Sequence, residues 1–349
     1  MVVSRFLVSR VHVCGPHVCT RQLAMLLVSL GLLCSALPVQ ADEDALLAAA
    51  RDTPRLHSLL VAVDGEPVVE GVFQGEGLAA PANIKSLSKS VLAALVGIAI
   101  GEGVIESVDQ PVVELLGDRV PDNATPGVET ITVGQLLSLQ AGLQRTSGPF
   151  YGAWVSSNDW VSHILTRPFE DEPGGGMLYS SGSSHLLAAA LTEASGRSLL
   201  ALTREWLGEP LNITVPAWPT DPQGIYFGGN DMLLSPYALM HIGELYRHDG
   251  RHDGRQVLPE GWVEASWTAR AASVYTGDAY GYGRFNLTLD GEDVWYGRGF
   301  GGQMLYVVPS LSLTVVMLSD PEPPSSGGHI QRLHRLMTQH ILPLVRDRA

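Results

Sequence analysis

Two β-rich runs near the start of the chain have no partner strands close by in sequence. Leu56–Val63 and Pro67–Phe73 are apolar, and Asp64-Gly65 between them is a strong hairpin signal. A two-stranded hairpin is marginal in water, so the pair needs further strands. The next comparable runs are Tyr282–Leu289, Val294–Tyr296, Met304–Val308 and Leu313–Leu318, with Asp290-Gly291 and Pro309-Ser310 as turns. Between Phe73 and Tyr282 the pattern is mostly helical, and Ile330–Val345 closes the chain as an amphipathic helix. The compact solution is an α+β fold: one antiparallel sheet joining first and last strands, flanked by N- and C-terminal helices, with a large mostly helical insert. The expected division is a sheet lobe over about 42–85 and 270–349 and a helical lobe over about 86–269, together one domain.

The junction of the two lobes is the expected place for a site, since such clefts commonly hold ligands. The chain enters it through Gly75–Ala82, a loop of Gly, Ala and Pro. It then runs through Asn83-Ile84-Lys85-Ser86-Leu87-Ser88-Lys89 into an apolar helix that ends near Gly101. Ser86 falls in the first turn and Lys89 three residues on, so the two share a helix face. A helix start also presents unpaired N–H groups and partial positive charge, which favour an oxyanion. A serine, an adjacent amine and an anion-stabilising backbone are the parts of an acyl-transfer nucleophile. Taken alone, the same spacing describes an N-cap serine and a solvated lysine.

The first 41 residues read as a leader. Arg5, Arg10 and Arg21 precede the apolar run Leu23–Leu37, and Pro38-Val39-Gln40-Ala41 supplies small residues before Asp42. That is the pattern of a secretory signal peptide cut after Ala41, and it predicts a periplasmic or secreted protein. Cys14, Cys19 and Cys34 are the only cysteines and all lie in the leader, so no disulfide framework or thiolate chemistry is expected downstream. Taking the leader's three arginines from the 22 basic residues leaves 19 against 36 acidic ones, a formal charge of −17. Nucleic acid and anionic membrane surfaces are therefore poor partners, and a small molecule is the expected one.

Two further patches carry chemistry. Tyr179 follows Pro173-Gly174-Gly175-Gly176 and opens the polar run Ser180-Ser181-Gly182-Ser183-Ser184, where a phenol beside an ammonium is suited to relay a proton. Tyr296-Gly297-Arg298-Gly299-Phe300-Gly301-Gly302-Gln303 puts glycines beside a strand, which permits close backbone approach. It reads as an edge strand lining the cleft, with Arg298 as an anion contact. The eleven histidines show no His-Glu-x-x-His and no metal-like spacing, so no metal or other cofactor is expected. No Gly-x-Ser-x-Gly elbow supports an ordinary esterase triad. Asp159, Asp278, Trp154 and Trp160 are candidates for the cleft wall, read first as solvated acids and core aromatics.

Taken in order and with their spacing, the three patches resemble the serine β-lactamase-like superfamily. The similarity is to the branch holding class C β-lactamases, certain esterases and 6-aminohexanoate-dimer hydrolases. Ser86-Leu87-Ser88-Lys89 matches its Ser-x-x-Lys motif, Tyr179-Ser180-Ser181 its Tyr-x-Asn motif, and Gly297-Arg298-Gly299 its Lys-Thr-Gly or His-x-Gly motif. Connecting stretches such as Ile131–Ser138 and Leu207–Leu211 also look like this family. The resemblance implies Ser86 as nucleophile, Lys89 as base and Tyr179 as proton relay, with the backbone N–H groups of Ser86 and Phe300 as oxyanion hole. It implies substrate contacts at Ser181, Gly297, Arg298 and Gly299. Ser181 replaces the usual Asn and Gly297 the usual cation, which favours a carboxylic ester or amide over a β-lactam. A β-lactamase or D-amino-acid peptidase is the alternative, and a binding or sensor protein on the same fold a second one.

Overall fold

The computed structural model describes residues 37–322 and 327–348. The leader expected over 1–41 lies outside the described residues, except that residues 37–41 open the first described helix.

Eight strands form one antiparallel sheet. They are β1 (Leu56–Val63), β2 (Glu66–Val72), β3 (Ala271–Ala272), β4 (Ala279–Tyr280), β5 (Phe285–Leu289), β6 (Glu292–Gly299), β7 (Gln303–Val308) and β8 (Leu313–Ser319). Their order is β2-β1-β8-β7-β6-β5-β4-β3. The N-terminal hairpin thus finds its partner at the far end of the chain, in register from Ser58↔Leu318 to Val63↔Leu313, with a one-residue shift between Ser58 and the pair Leu56↔Ser319. Asp64 and Gly65 turn the hairpin with φ of 50° and 80°, the doubly positive turn that Asp-Gly favours.

Alternation along β1 divides the core. Leu59 and Val61 pack with α1 (Leu37–Arg51) and the C-terminal helical segment Gly327–Arg346 on one face of the sheet. Leu60 and Ala62 join the larger cluster on the other face. That cluster is centred on α2 (Ser88–Gly101), in which every residue from Ser88 to Ala99 is buried. A helix with no polar stripe is stable only when wrapped on all sides. It is wrapped by α3 (Ser181–Ser195), by Trp262 and by the sheet.

Three details differ from the sequence expectation. The strand expected from Tyr282 begins at Phe285, because Tyr282 stacks on Trp262 and Gly283 turns the chain at φ 69°. Beyond it lie β3 and β4, two residues each and too short to carry a periodic signal. The helix α4 (Pro236–Arg247) falls within the stretch assigned to the helical lobe, yet it packs on β8, β7 and β1. Its Gly243 and Glu244 meet Thr314 of β8, with the Thr314 hydroxyl donating to Glu244 Oε1 at 2.5 Å.

Candidate active site

Ser86 sits in a 3₁₀ turn, Lys85–Leu87, just ahead of α2 rather than within its first α-helical turn. The turn is held by its neighbours. Lys85 adopts φ 50°, an uncommon conformation for a residue with a Cβ. Its amide donates to Asn83 Oδ1 at 2.9 Å, and its Nζ pairs with Asp231 at 3.0 Å. The Ser88 hydroxyl donates to Lys85 O and accepts from Met232 N, tying the turn to the segment that carries Asp231.

The helical spacing expected for Ser86 and Lys89 survives this change. Lys89 Nζ lies 3.3 Å from Ser86 Oγ, 3.2 Å from Ser181 Oγ and 2.7 Å from the Gly229 carbonyl oxygen. Lys89 is only 5 % exposed. Burial lowers its pKa below the usual lysine value, while Tyr179 and Asp231 pull the other way. A neutral amine has two N–H groups and one lone pair. The three neighbours match the three N–H groups of the ammonium; in the neutral amine Ser181 and Gly229 take two N–H groups and the lone pair is free to accept from Ser86 Oγ.

Tyr179 comes in from the loop before α3, packed with Leu139, Met177 and Tyr280. Its ring centre lies 5.1 Å from Lys89 Nζ, and it lines the same cleft as Ser86. Ser181, the first residue of α3, is fixed by a residue the sequence did not single out. Ser147 Oγ accepts from Ser181 N at 2.9 Å and donates to Ser181 Oγ at 3.3 Å. Gly229 likewise carries no signal of its own in the sequence. A Cβ there would lie 3.2 Å from Lys89 Nζ and 2.7 Å from Ser184 Cβ, so only glycine brings this carbonyl so close.

The glycine-rich patch is the end of β6, an interior strand and not an edge strand. Glu292–Tyr296 pair with β5, while Gly297–Gly299 pair with β7 alone, which leaves their other side toward the Ser86 turn. A Cβ on Gly297 would stand 2.3 Å from Leu87 Cδ1 and 2.6 Å from Ser90 Oγ; one on Gly299 would stand 2.2 Å from Ile84 O. Glycine is needed there because the turn rests directly on the strand. The pleat carries the Arg298 side chain away with Tyr296. Burial raises the pKa of the Tyr296 and Tyr306 hydroxyls, and Arg298 opposes it from that face. The residue still borders the cleft.

The cleft has a volume of about 180 Å³ and is walled by Ser86, Tyr179, Ser273, Tyr275, Phe285, Arg298, Gly299 and Phe300. Tyr275 and Phe300 are 65 % and 50 % exposed, so both present aromatic surface at the mouth. Among the described residues, neither Phe300 N, in the turn after β6, nor Ser86 N donates to a backbone carbonyl of another element. The other candidates take bland roles: Trp154 and Trp160 are core, Asp159 caps the helix Trp160–Leu165 by accepting from Ser162 N, and Asp278 accepts from the Tyr296 hydroxyl.

An antiparallel sheet flanked by helices, with half-buried Ser86 beside buried Lys89 under the glycine-rich end of a strand, is the arrangement of a β-lactamase-like fold. Residues 48–337 match the Beta-lactamase family, and the chain belongs to it. The fold is shared with a Bacillus anthracis protein assigned as a 6-aminohexanoate-dimer hydrolase, at TM-score 0.72 and 19% identity over 85% of this chain and 80% of that one. It is also shared with a D-stereospecific amidohydrolase from Streptomyces sp., at TM-score 0.65 and 18% identity over 84% and 98% of the two chains. A third similar structure is EstCE1, a hydrolase with promiscuous acyltransferase activity, at TM-score 0.69 and 16% identity over 86% and 98%. No curated protein matches the sequence.

Proposed function

We propose that this protein hydrolyses carboxylic esters or amides through an acyl-enzyme on Ser86. The observation that carries the reading is the hydrogen bonding of Lys89: Ser181 and Gly229 accept from it, and Ser86 Oγ stands in its remaining direction. Neutral Lys89 takes the hydroxyl proton as Ser86 Oγ bonds to the substrate carbonyl carbon. The oxyanion that forms is met by the amides of Ser86 and Phe300. As the intermediate collapses, the proton passes from Lys89 through the Tyr179 hydroxyl to the departing alkoxide or amine. Water then attacks the acyl-Ser86 ester by the reverse route, giving the acid and free enzyme.

The substrate in this reading carries an uncharged, apolar acyl group. Tyr275, Phe285 and Phe300 offer apolar surface at the mouth, and Gly297 stands where the motif resemblance implies a cation for a carboxylate. The place of Arg298 on the cleft border favours one second reading, a β-lactamase or D-amino-acid peptidase that binds a substrate carboxylate through it. The leader is proposed to take the enzyme out of the cytoplasm. The test is a panel of acyl esters, linear amides and a chromogenic cephalosporin against wild type and Ser86→Ala. Ester or amide turnover lost in Ser86→Ala supports the proposal. Cephalosporin turnover alone supports the second reading, and turnover of nothing in folded protein points to a binding protein.

A further inference from the structure

Behind the Ser86–Lys89 pair lies a buried imidazole–carboxylate pair that no substrate can touch. His185 Nε2 stands 3.0 Å from Asp221 Oδ2, and both side chains are fully shielded from solvent. Burying such groups is unfavourable unless they are paired and hydrogen-bonded. The carboxylate is fully engaged, since its other oxygen accepts from Gln223 N at 2.9 Å and Ile225 N at 2.8 Å. Burial raises the Asp221 pKa, but the hydrogen bond to His185 and those from the two amides outweigh it and hold it below the usual carboxylate value. Trp154, Trp160 and Phe227 pack edge-on to the imidazole at 5.9, 5.2 and 5.8 Å, which confines the ring.

The two ends of this pair belong to the two segments that hold Lys89. His185 follows Ser181 by one turn of α3, and Ser181 Oγ accepts from Lys89. Asp221 closes the loop that ends in Gly228 and Gly229, and the Gly229 carbonyl is the other acceptor. That loop lies flush on α3: a Cβ on Gly228 would be 2.5 Å from Ser184 O and from Ala188 Cβ.

We propose that His185 and Asp221 are positioning residues for the reaction, locking the 218–229 loop to α3 and so fixing Ser181 Oγ and Gly229 O, the two acceptors that aim Lys89 at Ser86. The inference rests on Lys89 serving as base toward Ser86.

The test compares His185→Phe, which keeps a ring and loses the donor, with His185→Gln, which keeps a donor amide. Leu333→Ala is the control, since Leu333 is buried on the opposite face of the sheet. For each, kcat and KM for a short acyl ester are measured across pH, together with thermal unfolding. In His185→Phe, kcat falls at least about tenfold while KM stays within about twofold, as expected when a base is misplaced and binding is intact. The acid limb of its kcat/KM profile moves by about half a pH unit or more, because that limb reports the base. His185→Gln recovers most of kcat, and the control lowers the unfolding temperature without moving the limb. An unmoved limb and unchanged kcat in folded His185→Phe overturn the inference, as does a control that behaves the same way. Failure of both His185 variants to fold also overturns it, assigning the pair to stability alone. Ser86→Ala run alongside keeps the two proposals apart. If it retains turnover, the assignment of Ser86 and Lys89 fails; if it is inert while His185→Phe matches wild type, only the positioning claim fails.

Discussion

The shortest hydrogen bond of the Lys89 amine runs to the Gly229 carbonyl, at 2.7 Å, rather than to the Ser86 hydroxyl, 3.3 Å away. A main-chain acceptor cannot be removed by mutation, but it can be displaced. In Gly229→Ala the new Cβ falls 3.2 Å from Lys89 Nζ and 2.7 Å from Ser184 Cβ, so the loop or the amine must move. Activity of the folded variant toward esters is expected to fall about a hundredfold, the scale of an ångström's misplacement. Steady-state kinetics with thermal unfolding checks this, and an alanine variant within about twofold of wild type goes against the role given to Gly229.

The motif comparison invites restoring a cation at position 297, and the packing says that this fails. The side chain would start 2.3 Å from Leu87 Cδ1 and 2.6 Å from Ser90 Oγ, which itself donates to Gly283 O at 2.6 Å. Gly297→Lys is expected to lose about 1–3 kcal/mol of stability by overpacking and to gain no cephalosporin turnover. Denaturant unfolding and a chromogenic cephalosporin assay test both halves. Gain of turnover at unchanged stability contradicts this account of the strand.

The apolar mouth sets an acyl preference. Each methylene buried there is worth about 0.8 kcal/mol, or roughly fourfold in kcat/KM while the chain remains in contact with the walls. Across a series of straight-chain esters, wild type is expected to rise over several methylenes, and Phe300→Ala with Tyr275→Ala to flatten the rise. A slope that the double variant leaves intact places acyl binding elsewhere.

Lys89 also links pH to stability. Its folded pKa is lowered by burial, against an ordinary value of 10.5 when unfolded. Between the two values the unfolded chain binds the extra proton, so stability rises with pH across that window, by at most about 1.4 kcal/mol per unit. The contribution is present in full above 10.5 and is lost as pH falls through the folded value. The stability of wild type relative to Lys89→Met is therefore expected to increase with pH through the alkaline range. A flat difference in denaturant titrations at several pH values contradicts a lowered Lys89 pKa.

The sheet was legible because its strands carry alternation and turn residues, and the Ser86–Lys89 face because helical spacing sets it. What was hidden had no residue-type signature. The Gly229 acceptor is a backbone carbonyl, and Ser147 is one serine among many. His185 and Asp221 lie 36 positions apart and meet only because a loop folds back on α3. The side taken by Arg298 was legible in principle, since a pleat sends neighbours of Gly297 and Gly299 to the far face. The strand as a whole is interior, and only its last three residues, Gly297–Gly299, are paired on one side and open to the cleft.

The central claim is that Ser86 is made nucleophilic by Lys89, and reaction with a fluorophosphonate probe reads this directly. Wild type is expected to take up one equivalent at Ser86, located by peptide mass analysis. Lys89→Met is expected to label at least about a hundredfold more slowly and Ser86→Ala not at all. Labelling that persists in folded Ser86→Ala, or that is equally fast without the Lys89 amine, contradicts the account.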